Sequence, residues 1–121
     1  MKESLAPGIE HLMDVTVTRE MSPPHLPRVV LSTPSMVQLM EQTSLVAVAP
    51  HLDENETTVG THVCISHLAA ATEGEAVTIH ARLTEVTKRR LTFEVRAQVG
   101  DRLLGEGTHE RAVIDLSRFS G

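Results

Sequence analysis

Apolar and polar residues alternate from Ile9 to Val17, with Ile9, Met13, Val15 and Val17 on one parity and Glu10, Asp14 and Thr16 on the other. A period of two predicts a half-buried strand, and His11 disturbs it only mildly. The next stretch, MSPPHLP, packs three of the six prolines into five residues, which excludes regular helix and central strand and predicts a loop. The period then lengthens. Met36, Leu39, Met40, Thr43, Val46 and Ala47 recur at helical spacing, and Val37, Leu45 and Val48 extend the apolar surface most of the way round. Thr33 is the expected cap and Pro34 suits the first helical position, so the helix is placed from about Pro34 to Ala49, ending at Pro50 and the polar HLDENET turn.

Four strand-like stretches follow, at about Thr58 to Ala70, Glu75 to Thr87, Leu91 to Val99 and Arg102 to Leu116. In the clearest, Leu91, Phe93, Val95, Ala97 and Val99 alternate with Thr92, Glu94, Arg96 and Gln98, the signature of an antiparallel sheet with one wet face. Lys88-Arg89-Arg90 and Gly100-Asp101 read as short hairpin turns. The expected chain is a strand, one long helix and then four meandering strands, with a short tail, SRFSG, at the end.

One sheet can bury such a helix only by curling around it. The expected fold is therefore α+β, a hot-dog fold in which an antiparallel sheet wraps one long central helix, as a single domain over residues 1–121. The helix's remaining apolar surface and the edge strand VGTHVCISHLAA both need covering, which predicts at least a homodimer.

Composition narrows the function. A net charge of −5, one basic cluster, and two phenylalanines with no tyrosine or tryptophan argue against a nucleic-acid partner. The core must be aliphatic. The single cysteine, Cys64, excludes an intramolecular disulfide, the first residues lack a secretory signal, and no apolar run approaches membrane-spanning length. A soluble cytoplasmic protein with no membrane association is expected.

Glu41 is the most informative residue, because it is a carboxylate inside an otherwise largely apolar helix. Burying an unpaired carboxylate costs several kcal/mol, so it persists where something pairs with it or uses it. The alternative is a narrow polar stripe with Gln38, Gln42 and Ser44. His67 shares a parity with Val59, Thr61, Val63, Ile65 and Ala69; it reads either as a core histidine satisfied by a carbonyl or as the acid-base partner of a buried acid. The seven histidines include no HExxH and no close Cys/His set: His62 and His67 lie on opposite strand faces and His109-Glu110 stands alone, so neither metal nor cofactor is expected. Cys64 turns away from His67, and Gly105 and Gly107 mark a bulge or a close backbone approach.

TPSMVQLME, VGTHVCISHLAA and GEGTHERAVIDLSRF together resemble the hot-dog thioesterases related to fluoroacetyl-coenzyme A thioesterase, over about residues 9 to 119. The 26 residues from Glu41 to His67 match that family's spacing. The resemblance implies a catalytic set of Thr33, Glu41 and His67 that hydrolyses an acyl-coenzyme A thioester without metal or cofactor. The glutamate would serve as nucleophile or as general base on water, and the histidine would support acyl transfer. Eight residues of regular helix separate positions by about 12 Å, so either the first turn is irregular or two subunits share the site. The fluoroacetyl-specific enzyme has a longer segment before the helix with aromatic residues over its pocket; MSPPHLPRVVLST is shorter and has none, which points to a general short acyl group. Lys88, Arg89 and Arg90 in one turn are placed to meet coenzyme A phosphates, but a solvated hairpin turn is the preferred reading. The same fold also accommodates a non-catalytic acyl-thioester binding module or an acyl-thioester hydratase or dehydratase.

Overall fold

A computed structural model describes residues 1–118; positions 119–121, the end of the expected tail, lie outside the described residues. Strand β1 (Glu10–Thr16) precedes helix α1 (Thr33–Val48), and β2 (Glu56–His67), β3 (Ala76–Thr87), β4 (Arg90–Val99) and β5 (Arg102–Asp115) follow. All pairings are antiparallel, in the order β1-β3-β4-β5-β2. The sheet curls over α1, as a hot-dog fold requires.

Only β3 to β5 form the expected meander. β2 pairs with β5 and occupies the edge opposite β1. The stretch 68–75 is too long for a hairpin turn and carries the chain across the open end of the sheet. It is pinned there by the Leu31 N–H, which donates to the Ala71 carbonyl at 2.9 Å, and by a bridge between Val30 and Thr72.

Curvature arises where one strand carries a residue that its neighbour does not match. Thr61 in β2, Thr84 in β3 and Leu104 in β5 are such extra residues, and each bulge bends and twists its strand. In β2 the bulge also reverses parity. Before it Thr58 and Gly60 face the helix, opposite Val113 and Arg111; after it Val63, Ile65 and His67 do, opposite His109, Gly107 and Gly105. The single parity expected from Val59 to Ala69 therefore does not hold.

Helix α1 starts one residue earlier than expected. Ser32, not Thr33, is the cap: its hydroxyl oxygen accepts from the Ser35 N–H at 3.2 Å. Thr33 is the first helical residue and Pro34 the second, where a missing N–H still costs no intrahelical bond. This frees the Thr33 hydroxyl for other work. Ser32→Ala is expected to destabilise the fold by about 1 kcal/mol, the usual worth of an N-cap, in chemical denaturation; Thr33→Ala has no comparable cap to lose.

The buried side of α1 presents Met36, Met40, Thr43, Ser44, Ala47 and Val48 to the sheet. The Thr43 and Ser44 hydroxyls are buried without cost because each donates within the helix, to Leu39 O at 2.7 Å and Met40 O at 2.9 Å. Across the core lie Ile79, Leu83, Leu91, Phe93 and Leu104. The far side of the helix is open in one chain, where Gln38, Gln42 and Val46 are exposed. Next to it β2 leaves its outer edge unpaired, with residues 60–64 exposed.

Candidate active site

Two groups of polar side chains meet between helix and sheet, one at the start of α1 and one near its middle. The first joins the helix start to the end of β2. Thr33 Oγ1 and His67 Nδ1 lie 2.7 Å apart, so the hydroxyl donates to the ring when the imidazole proton is on Nε2. His67 reaches this position because the β2 bulge has turned it inward. The pair opens on a cleft of about 370 Å³ lined by Pro23, Leu26, Val30, Leu68 and Ala69. Its walls are aliphatic, and the start of α1 brings the positive end of the helix dipole near it, although Pro34 has no N–H and the Ser35 and Met36 N–H groups already donate to Ser32.

Glu41 belongs to the second group, two turns further along. Its side chain is 40% exposed, so within one chain it is not the sequestered carboxylate expected from its apolar neighbours. The polar-stripe alternative describes the single chain better: Gln38, Gln42 and Leu45 line an open cleft with it. It does have a partner, for the Arg111 Nη1 lies 3.8 Å from Glu41 Oε2. The first turn of α1 is regular, so the axial distance of about 12 Å between positions 33 and 41 stands. The structure thus brings Thr33 and His67 together and keeps Glu41 apart from them in the same chain.

Arg111 and His109 were missed as site residues. Both are buried, and they form a closed network. Arg111 Nε donates to Thr58 Oγ1 at 2.7 Å, its Nη2 to Thr58 O at 2.9 Å and its Nη1 to His109 Nε2 at 3.1 Å. His109 Nδ1 in turn donates to the His62 carbonyl at 2.8 Å, and its ring stacks on Phe93. Burial, above all, pushes the His109 pKa down; the hydrogen bond to His62 opposes this and the facing Arg111 charge adds to it. The ring is therefore neutral, with its proton on Nδ1 and its lone pair toward Arg111. A sequence signal existed: in HERAVI the residues His109 and Arg111 share a parity with Val113, a charge on the buried face of a strand.

Gly60 completes this corner. A methyl group there would stand 2.8 Å from Glu41 Oε2 and 3.2 Å from His109 Cε1, so only glycine lets the helix carboxylate lie against β2. The other sequence candidates are elsewhere. Cys64 is exposed on the outer face of β2. Arg89 Nη2 donates to Glu56 at 3.1 Å and its Nε to the Val113 carbonyl at 3.0 Å, and Arg90 pairs with Glu110 at 3.6 Å, which ties two cations of the basic turn into the fold. Among the described residues no cluster of three metal-ligating side chains occurs, and no helix is long and apolar enough to cross a membrane.

A curled five-stranded antiparallel sheet over one long helix, with a threonine–histidine pair at the helix start, defines a hot-dog protein of the thioesterase class. More narrowly, the chain belongs to the fluoroacetyl-CoA-specific thioesterase family, FlK, whose pattern it matches over residues 13–117. It is 45% identical over 91 residues to the fluoroacetyl-CoA thioesterase of Streptantibioticus cattleyicolor, a match covering 75% of this chain and 66%, just under two thirds, of that one. The solved structure of the fluoroacetyl-CoA thioesterase FlK superposes with a TM-score of 0.89 at 36% identity, covering 97% of this chain and 93% of that one. A single-residue variant of FlK in complex with fluoroacetate and CoA gives a TM-score of 0.87 at 37% identity, over 96% and 100% of the two chains.

Proposed function

We propose that the protein hydrolyses a short acyl-CoA thioester as a homodimer, with Thr33, Glu41 and His67 as its catalytic residues. The observation that carries this reading is the 2.7 Å contact between Thr33 and His67 at the start of the helix, in a member of a thioesterase family. A thioester carbonyl is electrophilic enough that a positioned carboxylate and a few aimed donors suffice. Glu41 supplies the carboxylate, acting on the carbonyl carbon directly or through a water that it deprotonates. As the C–S bond breaks, His67, held by Thr33 with its proton on Nε2, hydrogen-bonds the leaving CoA thiolate. On the water route the proton taken up by Glu41 passes to the thiolate or to solvent; on the direct route water hydrolyses the acyl-glutamyl anhydride and frees Glu41. The positive end of the α1 dipole favours the oxyanion.

Dimerisation reconciles this set with the geometry. A regular first turn holds Glu41 away from the Thr33–His67 pair of its own chain, so a shared site is the arrangement left: Glu41 of one protomer with Thr33 and His67 of the partner subunit. The unpaired edge of β2 and the open, partly apolar side of α1 support it, since a second copy covers both. Its interface also closes off the 40% of Glu41 that one chain leaves to water.

The substrate is a general short acyl group rather than fluoroacetyl alone, because the cleft wall from Pro23 to Val30 has aliphatic side chains and no aromatic ring. The location is the cytoplasm, where a lone exposed thiol such as Cys64 stays reduced. The test is a panel of acyl-CoA esters of increasing chain length with thiol detection, run beside light scattering to give the molar mass. Thiol release from acetyl- and propionyl-CoA by a dimer is the expected result. A protein that binds acyl-CoA and returns it intact would be a binding module, and a monomer with full turnover would dismiss the shared site.

A further inference from the structure

The buried His109 has no part in the catalytic set above, yet it competes with Glu41 for one nitrogen. Arg111 Nη1 lies 3.1 Å from His109 Nε2 and 3.8 Å from Glu41 Oε2. The first is a hydrogen bond. The second is beyond hydrogen-bond range and leaves an ion pair only. Thr58 already takes the Nε–H and an Nη2–H, so the guanidinium plane is fixed and the imidazole sets where Nη1 rests along it. His109 is itself fixed, by the His62 carbonyl beside the β2 bulge and by stacking on Phe93. The charged and titratable groups that face the Glu41 carboxylate are Arg111 and His109 on β5, while α1 presents Gln38 and Gln42. His62 on β2 lies opposite Glu110 on the outer face and acts on the His109 ring only through its carbonyl and its charge.

We propose that His109 is a positioning residue that holds Arg111 back from Glu41, so that the guanidinium orients the carboxylate without seizing it in a direct hydrogen bond. The inference rests on Glu41 being the reactive carboxylate. A carboxylate locked onto arginine is a poorer base and nucleophile, because each charge-assisted hydrogen bond stabilises the very charge that the reaction must spend. His109 can hold Nη1 only while its ring is neutral. Burial and the facing guanidinium keep it so.

The test measures acetyl-CoA hydrolysis across pH in the full-length chain, for wild type, His109→Phe, His109→Gln and His109→Asn, with Tm for each. Phenylalanine fills the ring space and offers Nη1 no acceptor; Arg111 should close on Glu41. The expected result is kcat lower by about tenfold with KM little changed, and an acidic limb of the kcat profile displaced about one pH unit downward. Glutamine, whose oxygen reaches the position of Nε2, should restore both; asparagine, which reaches only that of Nδ1, should not. A folded His109→Phe enzyme with an unmoved acidic limb overturns the proposal. Should His109→Phe not fold, equal kcat and equal acidic limbs in the glutamine and asparagine variants overturn it instead. A Glu41→Gln enzyme with full turnover is a different failure, that of the catalytic assignment.

Discussion

Glu41→Gln should lower thioester hydrolysis by about 10³-fold, the usual worth of a positioned acid-base or nucleophilic group, while the melting temperature barely moves. Glutamine keeps the shape of glutamate and loses the charge and the basic oxygen. Two effects oppose each other in stability. Removing the carboxylate takes an ion-pair partner from the buried Arg111, whose side chain is only 7% exposed, which normally costs several kcal/mol. Here, however, the guanidinium keeps its bonds to both Thr58 oxygens and to His109, and the pair it loses is long and half-exposed. The residual cost is on the order of 1 kcal/mol or less. Activity and stability should therefore separate cleanly, with acetyl-CoA turnover and thermal denaturation measured on the same preparation. Turnover within a few-fold of wild type would remove Glu41 from the chemistry.

The second large effect is on the fold. Gly107→Ala should destabilise the protein by about 3 kcal/mol or more, at the upper end of what overpacking costs. A methyl group on Gly107 would lie 2.0 Å from the Cys64 carbonyl oxygen and 2.8 Å from Ile65 Cα. Both are backbone atoms of the paired strand, so no side chain can swing away to make room; β5 and β2 must part. At Gly105 the same methyl group meets the flexible end of the Met36 side chain at 2.6 Å and only one backbone atom, the Ser66 carbonyl oxygen, at a longer 2.8 Å, so the clash there is milder. Chemical denaturation of the alanine variant decides the matter, and a loss below about 1 kcal/mol would mean that the strands yield more readily than the geometry implies.

Much of the architecture was legible because periodicity is strong where one face is wet and the other dry. The alternation from Leu91 to Val99 matches β4, whose Leu91, Phe93, Val95 and Ala97 are all buried. The close approach marked by Gly105 and Gly107 is also found. Strand order was not legible, since β2 and β3 are successive in sequence but opposite in the sheet, and periodicity carries no information on partners. The helix cap was misplaced by one residue because Ser32 and Thr33 are both good caps, and only the backbone decides between them.

The site was legible in part. Thr33 and His67 meet, although nothing in their spacing shows it. Glu41 was expected to be enclosed on the strength of its apolar neighbours, but a helix apolar most of the way round says how much surface must be covered and not which molecule covers it. Arg111 and His109 carry no motif signal, because the sequence neighbour of His109 is Glu110, which points to the other side of the strand. The signal lies in the alternation of β5, where His109, Arg111 and Val113 share the dry face and two of the three are polar.

The single extra residue in β2, Thr61, has a reach beyond local bending. Were Thr61 paired like its neighbours, a strand that turns Gly60 toward the helix carboxylate would turn His67, seven residues on, to the outside, and the start and the middle of the helix could not both be furnished from one strand. Deleting Thr61 itself would leave Gly60 and His67 six residues apart and still on one side, whereas deleting a paired residue after it would act like a half-turn of a ribbon, exchanging the inner and outer surfaces of everything downstream. In this family member the proximity of threonine and histidine depends on an unmatched backbone unit six residues before the histidine, at a position where the side chain itself is of little account.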